Sequence, residues 1–173
     1  MTKPGKRDHS SPPREQRSPV IFLLAQVGAH AASKFGERLK QIGLSRPHSG
    51  ILWNLDFAPS ITQRQLARLL HMLPSRLVPL LDDLESKGLI ERRANPHDRR
   101  RHALHLTNKG RTALEQIRQI SRDHQKDVLT ALSNEEQRTL GEILQRLADQ
   151  QGLARGVHPG YARLSQVETE RKD

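Results

Sequence analysis

Between residues 91 and 111 the chain carries Arg92, Arg93, Arg99, Arg100, Arg101, Lys109 and Arg111 against Glu91 and Asp98, a net charge of +5. That is half of the +10 of the whole 173-residue sequence. Arginine at this density suits a polyanion. Its planar, weakly hydrated fork donates to several phosphate oxygens, and released counterions drive the association. The run is broken by Asn95-Pro96-His97-Asp98, which is turn chemistry. On either side lie two strand-like stretches, Leu89 to Ala94 and His102 to Thr107. In the second, alternation points Leu104 and Leu106 inward and Ala103 and His105 outward. The whole reads as a hairpin with a cationic tip, narrow enough to enter a minor groove, where negative potential concentrates. Arg99, Arg100 and Arg101 are the expected groove contacts. Asp98 is expected to pair with a neighbouring arginine and fix the tip.

A second group precedes the hairpin. Ser75, Arg76, Val78 and Pro79 are the early, outward positions of a helix opened by Pro74, whose missing amide costs nothing in a first turn. Arginine there can bond a guanine edge, and Val78 and Pro79 can touch thymine methyls. Pro79 also removes one backbone hydrogen bond inside the helix.

The elements that must hold these residues follow from periodicity. Thr62 with Gln65 forms a capping box for a short helix with Leu66, Leu69 and Leu70 inward. The next helix buries Leu77, Leu80, Leu81 and Leu84 and stops at Lys87-Gly88. Two helices and a tight turn, then a hairpin, form a winged helix-turn-helix over residues 61–107. Upstream, apolar positions 20, 24, 27, 31, 35, 39 and 42 make a helical stripe longer than one small core needs, closed by Gly43. Ser45 opens a helix with Ile51, Leu52 and Leu55 inside and Trp53 beside them, ending at Ala58-Pro59. Downstream, Thr107 caps a helix carrying Leu114, Ile117, Ile120, Val128 and Leu132, and Ser133 with Glu136 starts another with Leu140, Ile143, Leu144 and Leu147. Residues 1–18, rich in proline and of charge +3, read as a disordered basic arm, and 151–173 as a loose tail. The fold class is mainly α with a small β wing.

Other chemistry is absent from the pattern. There is no cysteine, hence no disulfide and no thiolate metal site. One Trp, one Tyr and three Phe are too few for a base-stacking platform. No phosphate-cradling glycine loop, nucleophile elbow or paired-histidine zinc motif occurs, so no enzyme, cofactor or metal is expected. His97, His102 and His105 have no established ligand spacing. The apolar run Val20 to Ala25 is too short for a signal peptide or a bilayer span, and the expected compartment is the cytoplasm. Two functions fit: a sequence-specific regulator on double-stranded DNA, or a basic architectural protein that binds nucleic acid without preference.

The stretch Leu80-Leu81-Asp82-Asp83-Leu84-Glu85-Ser86-Lys87-Gly88-Leu89-Ile90-Glu91-Arg92, with Asn95-Pro96-His97-Asp98-Arg99-Arg100 and Leu104-His105-Leu106-Thr107-Asn108-Lys109-Gly110, resembles the MarR (multiple-antibiotic-resistance regulator) family of transcription factors. The resemblance covers about residues 20–150. It implies a homodimer, with residues 19–44 and 108–150 as dimerisation helices. It implies pseudo-palindromic DNA sites, with Arg100 in a minor groove and Ser75, Arg76 and Val78 facing bases. Proline at 79 departs from the Arg or Thr typical there. The resemblance further implies a repressor released by a small phenolic or anionic effector bound between the first, second and fifth helices, where His30, His48 and Trp53 are candidate contacts. The family's peroxide-sensing mechanism needs a cysteine and is excluded.

Overall fold

The computed structural model describes residues 18–95, 98–154, 156 and 157. The elements run α1 (Val20–Lys40), α2 (Arg46–Phe57), α3 (Gln63–Leu69), α4 (Pro74–Ser86), β1 (Ile90–Asn95), β2 (Asp98–Leu106), α5 (Asn108–Val128) and α6 (Asn134–Gln150). The class is the expected one, mainly helical with a two-stranded antiparallel sheet. The basic arm of residues 1–18 lies, except for Ser18, outside the described residues, as does most of the tail expected at 151–173.

Helix starts follow side-chain chemistry. The first amides of a helix have no partner within it, so a cap supplies one. Thr62 and Gln65 form the expected capping box of α3, with the Thr62 amide donating to Gln65 Oε1 at 2.9 Å. Ser133 and Glu136 form that of α6. At α2 the box is made by Ser45 and His48, with a histidine where Glu or Gln is usual. His48 Nδ1 accepts from the Ser45 amide at 3.3 Å.

Helix ends follow backbone chemistry. After α1, α4 and α6 the chain turns at Gly43, Gly88 and Gly152, at φ 71°, 70° and 66°. In each case two amides reach back to the last turn, as in Gly88 to Glu85 and Leu89 to Leu84. The turn between α3 and α4 has the same hydrogen bonds, His71 to Arg68 and Met72 to Ala67. There the left-handed position is His71, at φ 51°. A side chain in that conformation costs roughly 1–2 kcal/mol relative to glycine.

Leu39, Ile51, Leu52, Leu55, Leu66, Leu70, Leu77, Leu81, Leu84, Ile90, Leu104 and Leu114 are the large side chains closed off from solvent. They come from α1 to α5 and both strands and form one core. Two expected orientations are corrected. Ala103 is buried, because the Leu104 amide donates to the Ile61 carbonyl and Ala103 bridges to Thr62, so the segment before α3 covers that side of β2. Leu69 is exposed, because Leu66, Ala67 and Leu70 occupy the inner stripe of the short α3 and leave it to one side.

The outer helices are incompletely covered. Only Leu39 of α1 is buried, and α6 buries no residue. Val20, Ile21, Phe22, Leu23, Leu24 and Val27 are exposed, as are Ile143, Leu144 and Leu147. Among the described residues no helix is long and apolar enough to cross a membrane.

Candidate nucleic-acid interface

The fully buried Leu77, Leu81 and Leu84 fix the inner face of α4. They leave Ser75, Val78 and Pro79 exposed on its early turns, with Arg76 half-buried. Pro79 lies inside the helix, which continues to Ser86 without the amide that would have bonded the Ser75 carbonyl. Ser75, Val78 and Pro79 thus share one solvent-facing surface, with Arg76 at its edge.

The hairpin is tied to α4 at both levels. Arg92 of β1 bonds the carboxylates of Asp82 (2.6 Å) and Glu85, and its backbone amide donates to Glu85 Oε1 at 3.2 Å. These two carboxylates raise the proton affinity of the guanidinium against the opposing effect of burial, which is the largest single influence on it. At the base of the hairpin, the Thr107 hydroxyl donates to the Gly88 carbonyl at 2.7 Å and accepts from the Gly110 amide at 3.0 Å. Lys109 Nζ donates to the Lys87 carbonyl at 2.8 Å. Gly110 sits so close to this corner that a Cβ there would stand 1.9 Å from the Leu89 carbonyl oxygen. The start of α5 therefore clamps the end of α4 to the base of the wing.

The strands pair in register from Ile90–Leu106 to Ala94–His102, and the next pair is Asn95–Asp98. Residues 99, 100 and 101 fall in that irregularity. A bulge of this kind turns a strand's side chains away from the ladder. The side chains of Asp98, Arg99, Arg100 and Arg101, including the arginine partner expected for Asp98, lie outside the described residues.

Two arginines of the basic cluster are already neutralised. Arg92 faces Asp82 and Glu85, and Arg93 faces Glu91. Arg64 and Arg68, which lie outside the basic run of residues 91–111, are by contrast exposed on α3 and in no ion pair among the described residues. The sequence carries a signal of this, since residues 57–81 contain no Asp or Glu.

The three candidate effector contacts are differently employed. His48 caps α2 and brings Nε2 to 3.4 Å from Asp83 of α4, which also holds Lys87. Trp53 is partly buried, with the Arg118 guanidinium 5.5 Å from its ring centre. His30 lines a cleft of about 670 Å³ between α1 and α5, together with Lys34, Arg38, His124 and Asp127. Arg38 and Asp127 are paired, and the His124 ring packs at 5.5 Å from Phe35. Burial foremost, then Arg38, holds the His124 imidazole below its ordinary proton affinity.

A helix-turn-helix with an adjoining, clamped hairpin defines a winged-helix protein. The MarR family model matches residues 42–101. A candidate transcriptional regulatory protein for the hcr operon of Thauera aromatica is 38% identical over 98 residues, covering 57% of this chain. The chain spans 59% of the length of that relative. A solved structure of a candidate transcriptional regulator from Pseudomonas aeruginosa is 32% identical, with TM-score 0.64, covering 75% of this chain and 97% of that one. A MarR family protein of Mycobacterium tuberculosis, solved in complex with p-aminosalicylic acid, is 27% identical, with TM-score 0.62 over 76% and 99% of the two chains. The chain belongs to the MarR family of transcriptional regulators.

Proposed function

We propose that this chain is a homodimeric, sequence-specific DNA-binding regulator, a repressor that works in the cytoplasm and is released by a small phenolic or anionic ligand. The observation that carries the reading is the exposed early face of α4 beside a hairpin clamped to the same helix. In this reading residues 61–107 are the DNA-reading unit. Ser75, Arg76, Val78 and Pro79 enter a major groove, and Arg99, Arg100 and Arg101 enter the flanking minor groove, oriented by Asp98.

The dimer is supported by α6. A helix of this length is marginal in water without a packed face, and α6 buries none of its residues. Ile143, Leu144 and Leu147, with the exposed start of α1, are covered most economically by a second copy about a two-fold axis. Residues 19–44 and 108–150 are accordingly assigned to dimerisation, and two α4 helices then read two half-sites of a pseudo-palindrome.

The effector reading is supported by the α1–α5 cleft, which has the room for a small ligand and in which His30, one of the candidate contacts, stands beside the Arg38–Asp127 pair, and by the ligand of the M. tuberculosis relative.

The test is a pair of titrations at physiological salt, one against a pseudo-palindromic duplex recovered by selection from genomic DNA, one against random duplex. The expected result is at least about a thousandfold preference for the selected duplex, relieved by p-aminosalicylate. Equal affinities would favour the architectural alternative.

A further inference from the structure

We propose that the outer face of α3 is a second grip on the duplex, in which Arg64 and Arg68 each hold a backbone phosphate and His71 completes the contact at the turn. This rests on the DNA-binding reading above.

Position is the first argument. Two cavities, of about 430 and 500 Å³, are both lined by Arg64 and Arg68. One reaches His102 on β2, and the other reaches His71, Leu73 and Pro74 at the start of α4. The two arginines therefore stand between the hairpin and the early turn of α4. A duplex touching both of those elements passes over them.

Charge is the second. Beside this face the cations of the α4–hairpin junction meet acids: Lys87, Arg92 and Arg93 all have carboxylate partners. Residues 57–81 contain no acid, and Arg64 and Arg68 stand exposed on α3 in no ion pair among the described residues. Their i,i+4 spacing places them on one face of the helix, about 6 Å apart along its axis. Two long side chains from such a pair can take neighbouring phosphates of one strand. Phosphate contacts of this kind set register on the duplex without reading sequence.

Backbone conformation is the third. The turn between α3 and α4 needs a left-handed residue, and glycine would take it freely, as at Gly43, Gly88 and Gly152. Histidine stands there instead, and its imidazole lines the same cavity as the two arginines. A side chain held against its own backbone preference points to a task for that side chain.

The full-length protein is titrated against random-sequence duplex between roughly 50 and 200 mM salt, and log K is plotted against log salt concentration. In the double variant Arg64→Ala/Arg68→Ala the slope should become shallower by about two, and affinity at the upper salt concentration should fall about tenfold. Arg64→Lys/Arg68→Lys should keep the slope. Thermal unfolding of both variants should match the wild type, since neither side chain is buried. A wild-type slope retained in the alanine double variant overturns the grip and leaves the DNA-binding reading standing. Wild-type protein without salt-dependent duplex binding overturns that reading, and the grip with it.

Discussion

The two ends of this molecule leave opposite kinds of surface open. Around α3, α4 and the hairpin the core is closed, and Arg64 and Arg68 face outward from a stretch without acids, with Leu69, Leu73 and Val78 exposed singly among them. At the start of α1 and in a stripe of α6 formed by Ile143, Leu144 and Leu147, large apolar side chains are exposed and the underlying packing is thin. The contrast separates two partners by chemistry. A polyanion satisfies the first surface through counterion release. Only another apolar face satisfies the second, because burying Leu and Ile against it recovers roughly 25 cal/mol per Å². Each surface can then be broken without touching the other.

The largest effect is expected at the apolar end. Leu144→Asp combined with Leu147→Asp should give a monomer by size exclusion with light scattering. The palindrome affinity should drop by about 100-fold or more, since the two half-sites no longer bind as one. Random-duplex binding per protomer should change far less. A variant that stays dimeric would place the interface elsewhere and dissolve the contrast.

Next comes Gly110→Ala. The new Cβ would collide with the Leu89 carbonyl at 1.9 Å, so either α5 or the α4–β1 corner must move. The expected loss is about 3 kcal/mol of unfolding free energy in urea, at the upper end of overpacking effects. A loss near zero would mean that the clamp is soft and that the wing is not held by it.

Arg92→Ala tests whether sequence-level charge is available charge. Removing it leaves Asp82 and Glu85 without their cation, and a stability loss of about 1–2 kcal/mol is expected for these partly exposed bonds. The slope of random-duplex affinity against salt should be unchanged. A slope shallower by about one would make Arg92 a phosphate contact, and the distinction between paired and open cations on this face would fail.

These cases also define what the sequence made legible. Elements with strong periodicity and chemical punctuation were readable: the boxes at Thr62 and Ser133, the glycines at 43 and 88, and the order of helices and hairpin. Three things were not. Ala103 alternates as an outward residue, but the Ile61–Thr62 segment that covers it is distant in sequence. Arg92 counts as a basic residue, and only the fold shows the two α4 carboxylates against it. Pro74 marks the α3–α4 turn, but no glycine marks its left-handed position, which His71 holds. In each case a tertiary neighbour or a paid-for backbone state overrides the local signal.

His71→Gly follows in size. Removing the left-handed side chain should raise stability by about 1 kcal/mol, partly offset by the added freedom of the unfolded chain. Duplex affinity should fall as the imidazole leaves the α3 face. Higher stability with unchanged affinity would strike His71 from that face and leave the two arginines.

The smallest effect is a pH dependence within the folded core that supports the cationic face. His48 is almost fully buried, and that burial lowers its proton affinity more than Asp83 raises it, with Lys87 adding to the lowering. In the unfolded chain His48 takes a proton as pH falls through its ordinary 6.5, and in the folded protein only at lower pH. The unfolded state then binds more protons, so stability declines as pH drops below about 6.5. His124, held down chiefly by burial, contributes with the same sign. Protonating Nδ1 of His48 would also remove the acceptor for the Ser45 amide. Glutamine at position 48 retains an acceptor for the capping box and does not titrate. The fall in thermal midpoint between about pH 7.5 and 5.5 should therefore be smaller in His48→Gln than in the wild type. An identical fall would assign the pH dependence to His124, between α1 and α5, and so to the helices of the apolar end.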